Sequence, residues 1–515
     1  MKNSIKSTGM IVSCVMLLSK LFGMLRDIIV ASMYGTSTAE AIAFSTASRI
    51  PLLFFDIALG TAVTSAFIPI YNEYIAVDDR KSANEFASRF IILVLIITSS
   101  MAALGMLFSN DFVHIIAGGL NTEQTELAST LVRILFPVIV FTGIAFCFVG
   151  ILQSEGNFVI PALISLVSNL FLIVYLLLFK NRFGVTGVAV AMLCGWFMQI
   201  LIQIPSLRKS EYTFKLRNPF GSDAIKRVCL LSLPIIISAW VQPINTMINI
   251  NLSSGLNGGE AITALDYANK LYIILVGVVA YTITNLTFPS ISRLASKNDF
   301  RGYSDTVSKS ISYSVFIIAP VMVGFIVLSE PIIRLFYERG QFTADSTYLT
   351  SKALMCYSFG MIGYGLTEIM NKSFYALKDG KTPMIISCAG IGLNIIISII
   401  SVRFLNAGLE ALALAAAFSS NFIGVMMLLI LNKKTSGIIS PLLIKRVSKS
   451  LLSAVIMGGC VWLVDGYFKS DSNILSVFIP VITGAIVYSI CCLIFRVEEF
   501  KAVLSIFNRF KGKEA

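Results

Sequence analysis

The amino-acid sequence predicts an all-α polytopic membrane protein, and three observations carry this prediction. The chain has 515 residues, of which 56% are hydrophobic and only 13% are charged, whereas globular proteins average about 25% charged residues. Its mean hydropathy is +0.83. Apolar runs near or beyond ~18 residues, the length needed to cross a bilayer, recur along the sequence. This composition excludes a soluble enzyme, a nucleic-acid-binding protein, a disulfide scaffold and a disordered chain.

Polar connections and clusters of proline and glycine divide the chain into about fourteen candidate transmembrane helices. Lys20, Arg26 and Asp27 interrupt the first apolar segment, so it is not interpreted as a cleavable signal peptide. The predicted spans are 9–33, 39–71, 88–109, 128–152, 157–179, 184–206, 226–253, 262–292, 307–329, 347–375, 382–403, 408–431, 447–465 and 474–495.

The distribution of lysine and arginine predicts the orientation of these spans. Of the 40 basic residues, 27 fall at the termini or at the even-numbered connections, and six fall at the odd-numbered ones, where each connection includes up to three residues of the adjoining spans. Because positive charge accumulates on the cytoplasmic side, both termini are expected in the cytoplasm. The formal net charge of +12 is thereby explained without nucleic acid as a partner.

An internal repeat divides the chain further. Pro69 in AFIPIYNEY and Pro289 in TFPSISRLA are 220 residues apart. Three more pairs recur in order at offsets of 220 to 224: Ser109 and Ser329, Pro161 and Pro383, and Gly184 and Gly408. We therefore expect an N-terminal six-helix lobe with a cytoplasmic linker (1–222) and a C-terminal six-helix lobe (223–435). Two extra helices and a basic cytoplasmic tail (436–515) follow.

Because six is an even number, the two lobes should share one polarity and be related by a pseudo-two-fold axis along the membrane normal. Transporters bind their substrates between such halves, although a duplication can also be purely structural.

Seven basic residues lie inside the predicted spans, beyond the three residues at either end, and a basic residue costs roughly 2.5–3.5 kcal/mol at the helix centre. Arg133 and Lys352 are near span ends and can extend to the interface. Lys372 follows Glu368 by one helical turn, which indicates a structural pair. The four that remain are Lys20, Arg26, Arg49 and Lys270.

These four cations belong to polar stripes on otherwise apolar helices. The stripes are Lys20–Gly23–Asp27, Ser45–Arg49–Asp56 and Thr263–Asp266–Lys270. Such stripes must face protein or a water-filled cavity rather than lipid. One interpretation is a net cationic cavity that suits a phosphate-bearing anion. The other is that Asp27, Asp56 and Asp266 simply neutralise the cations as structural pairs.

Other functions find less support in the sequence. There is no Gly-Lys-Ser/Thr nucleotide-binding loop, the single histidine (His114) lies in a polar connection, and the nine cysteines have no metal-ligand spacing. No catalytic residue, metal or cofactor is therefore expected. Two rivals remain: a drug/cation antiporter, which should have an acidic cavity, and a membrane transferase, polymerase or phosphatase with Asp27 or Asp56 as base.

Several segments together resemble a known family. SKLFGMLRDIIVASMYG resembles the pattern S-R-x-x-G-x-x-R-D, and ASRIP, SAFIPIYNEY, YANKL, PIIRLFYERGQFTADST and KSFYALKDGKTP continue the match in order. The chain resembles the MurJ/MviN lipid II flippases of the multidrug/oligosaccharidyl-lipid/polysaccharide exporter superfamily. The resemblance implies fourteen helices in two lobes and alternating access. It also implies transfer of undecaprenyl-pyrophosphate-linked peptidoglycan precursor from the cytoplasmic to the outer leaflet of the bacterial inner membrane.

The resemblance also implies a set of site residues. By position, the substrate-binding residues are Lys20, Arg26, Asp27, Arg49, Thr263 and Lys270. The polar stripes add Asp56 and Asp266 as secondary candidates. Lysine stands at 20 and 270 where the family has arginine, so a flippase for another lipid-linked oligosaccharide is the alternative. The expected partners are the lipid-linked pyrophosphate glycan, membrane lipids and cell-wall synthesis proteins.

Overall fold

The computed structural model describes residues 2–58, 67–179, 182–210, 212–435, 437–467 and 472–501, which are almost entirely helical. The first twelve helices are α1 (Lys2–Tyr34), α2 (Ala39–Ala58), α3 (Ile68–Ala76), α4 (Arg80–Leu107), α5 (Ser109–Ile116), α6 (Thr122–Leu135), α7 (Val138–Ser154), α8 (Val159–Phe179), α9 (Gly184–Leu201), α10 (Ile204–Lys209), α11 (Asp223–Ala239) and α12 (Val241–Ser254). The others are α13 (Glu260–Ser296), α14 (Phe300–Val327), α15 (Ser329–Tyr337), α16 (Ala344–Ser358), α17 (Met361–Ala376), α18 (Lys381–Ile399), α19 (Leu409–Thr435), α20 (Pro441–Tyr467) and α21 (Asn473–Ile494).

Ten helices or pairs of consecutive helices in the described chain are long and apolar enough to cross a bilayer. They coincide with ten of the predicted spans, and the other four predicted spans coincide with α1, α2, α11–α12 and α16–α17. Residues 59–66 of the predicted second span and residues 502–515 of the predicted basic tail lie outside the described residues. The all-α polytopic architecture is confirmed, whereas the count of fourteen stays a prediction.

Large apolar side chains are exposed along these helices. Leu177 and Leu178 of α8 are 66% and 69% exposed, and α21 exposes a series of isoleucine, leucine and phenylalanine side chains. A contiguous apolar surface of this kind would be unfavourable in water. In a bilayer it faces hydrocarbon at no cost, while each helix satisfies its own backbone hydrogen bonds.

The internal repeat extends from sequence to local structure. Helices α4 and α14 each have 28 residues, and their N-caps are Asp79 and Asp299, whose carboxylates accept the backbone N–H groups of Ser82 and Gly302. Asp78 and Asn298, one residue earlier, both have φ of 56°. Each long helix is followed at once by a short one that begins at a serine, as in α5 and α15. The same chain positions therefore start and end equivalent helices in both copies.

The described chain forms two compact units. The first consists of Met1–Thr263 together with Arg339–Phe342, and the second of Ala264–Glu338 and Thr343–Ala515. Stacked rings lie in the core of the first unit, where the Phe67 ring centroid is 4.8 Å from that of Phe90 and 5.5 Å from that of Phe86. In the second unit α14 packs on α20, and Tyr488 donates a 2.8 Å hydrogen bond to the backbone oxygen of Phe316. The predicted boundaries at 222 and 435 stay predictions.

Candidate functional site

Arg26 of α1 is held by two neighbours in the first unit. Its Nε and Nη2 donate to Asp27 Oδ1 at 3.1 and 2.8 Å. Its Nη1 donates to Asn169 Oδ1 of α8 at 2.8 Å. These are charge-assisted bonds of good geometry, so the guanidinium is fixed in position by two helices. The side chain nevertheless remains 27% exposed, so one side of the guanidinium is accessible.

Asn169 reaches Arg26 because α1 and α8 approach closely. The Asn169 side chain is buried, and its Nδ2 donates to the backbone oxygen of Ser19 at 3.3 Å. Gly23 lies opposite, where an added Cβ would be 3.4 Å from Asn169 Nδ2. The small residue on the polar stripe of α1 thus leaves room for the amide. Sequence reasoning missed Asn169 because a neutral amide in an apolar helix carries no large insertion cost.

Lys20 and Arg49 differ in their surroundings. Lys20 of α1 is exposed and has no ion pair among the described residues. Arg49 of α2 is partly buried and interacts with neighbouring groups. Asp56, on the predicted polar stripe of α2, is exposed. The first unit therefore presents one fixed arginine, one accessible lysine and one partly buried arginine.

The C-terminal end of α1 is held by residues from distant parts of the chain. Thr36 donates a hydrogen bond to Glu260 Oε1. Gln341 donates its backbone N–H to the backbone oxygen of Ser32 at 2.9 Å. Gly340 (φ 59°) is required here, because a Cβ would lie 2.2 Å from that same oxygen. The segment Arg339–Phe342 thereby fixes the end of the helix that carries Arg26.

Thr263, a predicted site residue of α13, is fully buried, and its hydroxyl has no hydrogen-bond partner among the described residues. Burying a hydroxyl without a partner costs roughly 1–3 kcal/mol. Such a group is a candidate contact for a ligand or a water molecule.

In the second unit Lys270 pairs with Asp266 on the same helix. Lys270 Nζ is 3.0 Å from Asp266 Oδ2, and it lies 5.6 Å from the ring centroid of Tyr267. Asp266 is buried, while the Lys270 side chain is 34% exposed. The structure thus brings together the cation and carboxylate that the sequence placed on one face. Among the described residues, no group of three or more histidine, cysteine, aspartate or glutamate side chains could hold a metal ion.

Long apolar helices whose few buried charges are paired define this chain as a polytopic membrane transporter. Residues 30–482 match the sequence model of the family described as lipid II flippase MurJ, and the chain belongs to that family.

Individual relatives agree with this assignment. The chain is 28% identical over 390 residues to a probable lipid II flippase MurJ of Rickettsia prowazekii, covering 75% of this chain and 76% of the relative. A solved structure of lipid II flippase MurJ in an inward closed conformation is similar with a TM-score of 0.81 and 27% identity, covering 96% of this chain and 100% of that chain. An inward-facing multidrug resistance MATE transporter of the MOP superfamily, at 18% identity and a TM-score of 0.70, covers 83% of this chain and 98% of its own and shares the fold.

Proposed function

We propose that the chain moves lipid II from the cytoplasmic to the outer leaflet of the bacterial inner membrane by alternating access, with both termini in the cytoplasm. Membership of the lipid II flippase family supports the activity. The excess of lysine and arginine at the termini and in the even-numbered connections supports the orientation. The substrate is released chemically unchanged, so the protein is a transporter rather than an enzyme.

The single observation that carries the site assignment is the geometry of Arg26. A guanidinium has five N–H donors, and three of those of Arg26 are engaged by Asp27 and Asn169. Each terminal nitrogen therefore retains one N–H in a fixed plane. Two such donors suit two oxygens of a pyrophosphate, as in bidentate arginine–phosphate pairs.

The other cations extend this anion site. Exposed Lys20 lies six residues before Arg26 on α1, about 9 Å along the helix at 1.5 Å per residue. Its long aliphatic side chain is flexible, so its ammonium group can remain in contact with a phosphate that moves. Arg49 supplies a second guanidinium in the first unit. Lys270, with Asp266 and Thr263 on the same helix, is proposed as a separate contact to the anionic head.

Asp27 has a different role from the cations. Its carboxylate is largely buried and accepts two bonds from Arg26. A partly buried arginine left without its carboxylate would be destabilising. We assign Asp27 to orienting the guanidinium and to reducing its charge, so that the substrate is bound and also released.

The decisive experiment replaces the essential flippase of a bacterium with this chain and measures whether lipid II becomes accessible at the outer face. Arg26→Ala should reduce translocation about tenfold or more, since a bond to a charged group contributes about 1.5–3 kcal/mol. The matched control is Arg227→Ala, which removes an exposed arginine bound to Glu73 at 2.7 and 3.0 Å. It should translocate normally.

The possible outcomes test the assignment of the binding site and the assignment of the transport activity separately. Full translocation by Arg26→Ala would refute the site assignment and leave the activity intact. Recovery of a cleaved or extended lipid product would instead refute translocation and favour a transferase or phosphatase. Preferential transport of another polyprenyl-linked oligosaccharide over lipid II would refute the assignment of lipid II as the substrate.

A further inference from the structure

A cavity of about 870 Å³ lies within the second unit, and none of its lining residues is among those assigned to lipid II. It is formed where α14, α20 and α21 meet α15 and α16, at the C-terminal ends of α14 and α20 and the N-terminal end of α21. Its volume falls in the range of about 300–1,000 Å³ that is typical of small-molecule sites. The cavity has no role in the function proposed above.

The charged lining of the cavity contains both signs. Glu330 and Asp465 supply carboxylates, and Arg334 and Lys352 supply cations. An anionic ligand would place its charge near two carboxylates, and a cationic ligand near two basic groups. The lining therefore matches a ligand that carries one positive and one negative group.

The cations retain capacity for a phosphate. Arg334 donates from Nη2 to Glu330 at 2.6 Å and from Nε to Glu338 at 3.3 Å. Its Nη1 has no hydrogen bond among the described residues. Lys352 Nζ is 3.1 Å from Glu410 and has three N–H donors in all. Both can therefore bind a further oxygen without losing the contacts that hold them.

The carboxylates retain capacity for an ammonium group. A carboxylate has about four lone-pair positions. Glu330 uses one of its oxygens for Arg334. Asp465, two residues before the end of α20, lines the same cavity and has one other interaction, which leaves further lone-pair positions on its two oxygens. A primary ammonium group with three N–H donors can bond to both carboxylates, whereas a quaternary ammonium has no donor for either.

The surroundings point to a lipid rather than a soluble molecule. Trp462 of α20 lines the cavity and is 64% exposed, as is typical of tryptophan at the membrane interface. Below it, Val455 of α20 and Phe478 of α21 are 63% and 53% exposed. An apolar surface on two membrane-spanning helices is thus adjacent to a polar cavity. This arrangement suits acyl chains attached to a polar head.

The leaflet follows from the basic residues on the same helices. Lys309 of α14 and Lys445 and Lys449 of α20 lie near the opposite ends of those helices. The positive-inside rule assigns those ends to the cytoplasm. The cavity therefore belongs to the outer leaflet.

We propose that this cavity binds the headgroup of an outer-leaflet phosphatidylethanolamine, with the phosphate on Arg334 and Lys352 and the ammonium on Glu330 and Asp465. The acyl chains lie along the exposed apolar surface of α20 and α21. The bound phospholipid would join α15 and α16 to the two C-terminal helices. This site is independent of lipid II binding by Arg26.

The test is native mass spectrometry of the full-length protein in detergent, titrated with dioleoyl phosphatidylethanolamine, phosphatidylcholine or phosphatidylglycerol. Phosphatidylethanolamine should bind about tenfold more tightly than the other two, since each loses charge-assisted bonds. Asp465→Asn should reduce binding of phosphatidylethanolamine to the level of phosphatidylcholine. Arg334→Gln should weaken all three lipids.

Two further variants separate a lost site from a misfolded protein. Ser476→Phe fills the cavity and retains all four charges, so it should also weaken phosphatidylethanolamine binding. The matched control is Asp305→Asn, which breaks the exposed 2.7 Å pair of Asp305 with Lys309 on the same unit and should change nothing.

Three results would overturn the proposal. Equal binding of the three lipids would show a non-specific annulus. A preference for phosphatidylglycerol would show an anionic-lipid site. Greater sensitivity of lipid II binding than of phosphatidylethanolamine binding to Ser476→Phe would show that the cavity belongs to the substrate path.

Discussion

Arg26 Nη1 donates to Asn169 Oδ1 at 2.8 Å, across 143 residues of sequence. The amide of Asn169 is held in turn by its own 3.3 Å bond to the backbone oxygen of Ser19. Because the amide oxygen is an acceptor without charge, it positions the guanidinium without neutralising it. Among the described residues, Asp27 is the carboxylate that pairs with Arg26, and Asp27 interacts with a further group as well, so Arg26 keeps an attraction for an anion.

Replacing Asn169 with alanine should therefore impair transport more than it impairs folding. The variant removes one acceptor from Arg26 and one donor to α1, which together cost about 1–3 kcal/mol. The guanidinium would then rotate about its remaining contact with Asp27. We expect a several-fold loss of lipid II translocation, measured alongside the unfolding temperature in detergent.

A matched control is Gln199→Ala on α9. Gln199 is also a buried amide, and it donates to Ser168 Oγ of α8 at 3.0 Å. Among the described residues it makes no hydrogen bond to Arg26. It should lower the unfolding temperature by a similar amount and leave translocation per folded molecule unchanged. Equal transport losses in both variants would contradict a positioning role for Asn169.

Gly340→Ala should detach the segment Arg339–Phe342 from α1. The residue has φ of 59°, and its Cβ would lie 2.2 Å from the Ser32 oxygen. Left-handed backbone alone costs about 1–2 kcal/mol for a residue other than glycine. The steric clash should add to this cost and break the 2.9 Å bond from Gln341 to Ser32. Faster hydrogen exchange at the C-terminal end of α1 would report the loss.

Gly221→Ala is the matched control for Gly340→Ala, because it introduces the same backbone strain without a steric clash. Gly221 has φ of 83°, but a Cβ there would meet nothing within 4 Å. It should lower stability by about 1 kcal/mol from the backbone alone and leave exchange in α1 unchanged. Similar rates of hydrogen exchange at the C-terminal end of α1 in both variants would show that the bond from Gln341 to Ser32 does not hold this end of the helix.

A pH-dependent contribution to stability should come from Asp379, in the connection between α17 and α18. The ion pair with Lys434, together with hydrogen bonds from Thr382, lowers the pKa of Asp379 to about 2. The ordinary aspartate pKa is about 3.9. Because the pKa is lower in the folded state, this stability is present above about pH 4 and is lost as the pH falls toward 2.

Asp379→Asn should accordingly lower the unfolding temperature at pH 6, and the difference from the unmodified protein should shrink as the pH approaches about 2. Lys434→Met removes the partner and should show the same dependence. The double variant should be no less stable than the worse single variant. A difference that stays constant with pH would exclude a role for this ion pair.

Several features of the fold could be predicted from the sequence because they are local. The predicted span 157–179 corresponds to α8 at Val159–Phe179, since apolar length is a property of consecutive residues. The break between α6 and α7 was not predicted, because hydropathy stays high through Phe136 and Pro137. A turn inside the membrane leaves no polar signal when its backbone is covered by protein.

The candidate site could be predicted only in part, because contacts between residues that are distant in the sequence leave no local signal. Arg26 and Lys270 were found because a cation in an apolar helix is costly and therefore conspicuous. Their contacts to Asp27 and Asp266 follow from helical spacing. Asn169 was missed, since nothing local relates a neutral amide in α8 to α1. The bond from Thr36 to Glu260 likewise joins residues that are 224 positions apart.

The pair formed by Lys270 and Asp266 offers a direct test between a functional cation and a structural ion pair. Lys270→Gln removes the charge proposed to contact substrate, and Asp266→Asn retains it. If the lysine binds the anionic head, Lys270→Gln should lose translocation several-fold, and Asp266→Asn should bind lipid II at least as tightly as the unmodified protein.

The double variant of Lys270→Gln and Asp266→Asn decides the matter. Leaving one charge of a partly buried pair without its partner is destabilising, so removing both should recover stability lost in Lys270→Gln. A structural pair would therefore recover transport together with the unfolding temperature. A substrate-binding lysine would recover only the unfolding temperature, because the double variant still lacks the positive charge. Recovery of transport in the double variant would remove Lys270 from the site and leave the cationic contacts of the first unit as the place where the pyrophosphate binds.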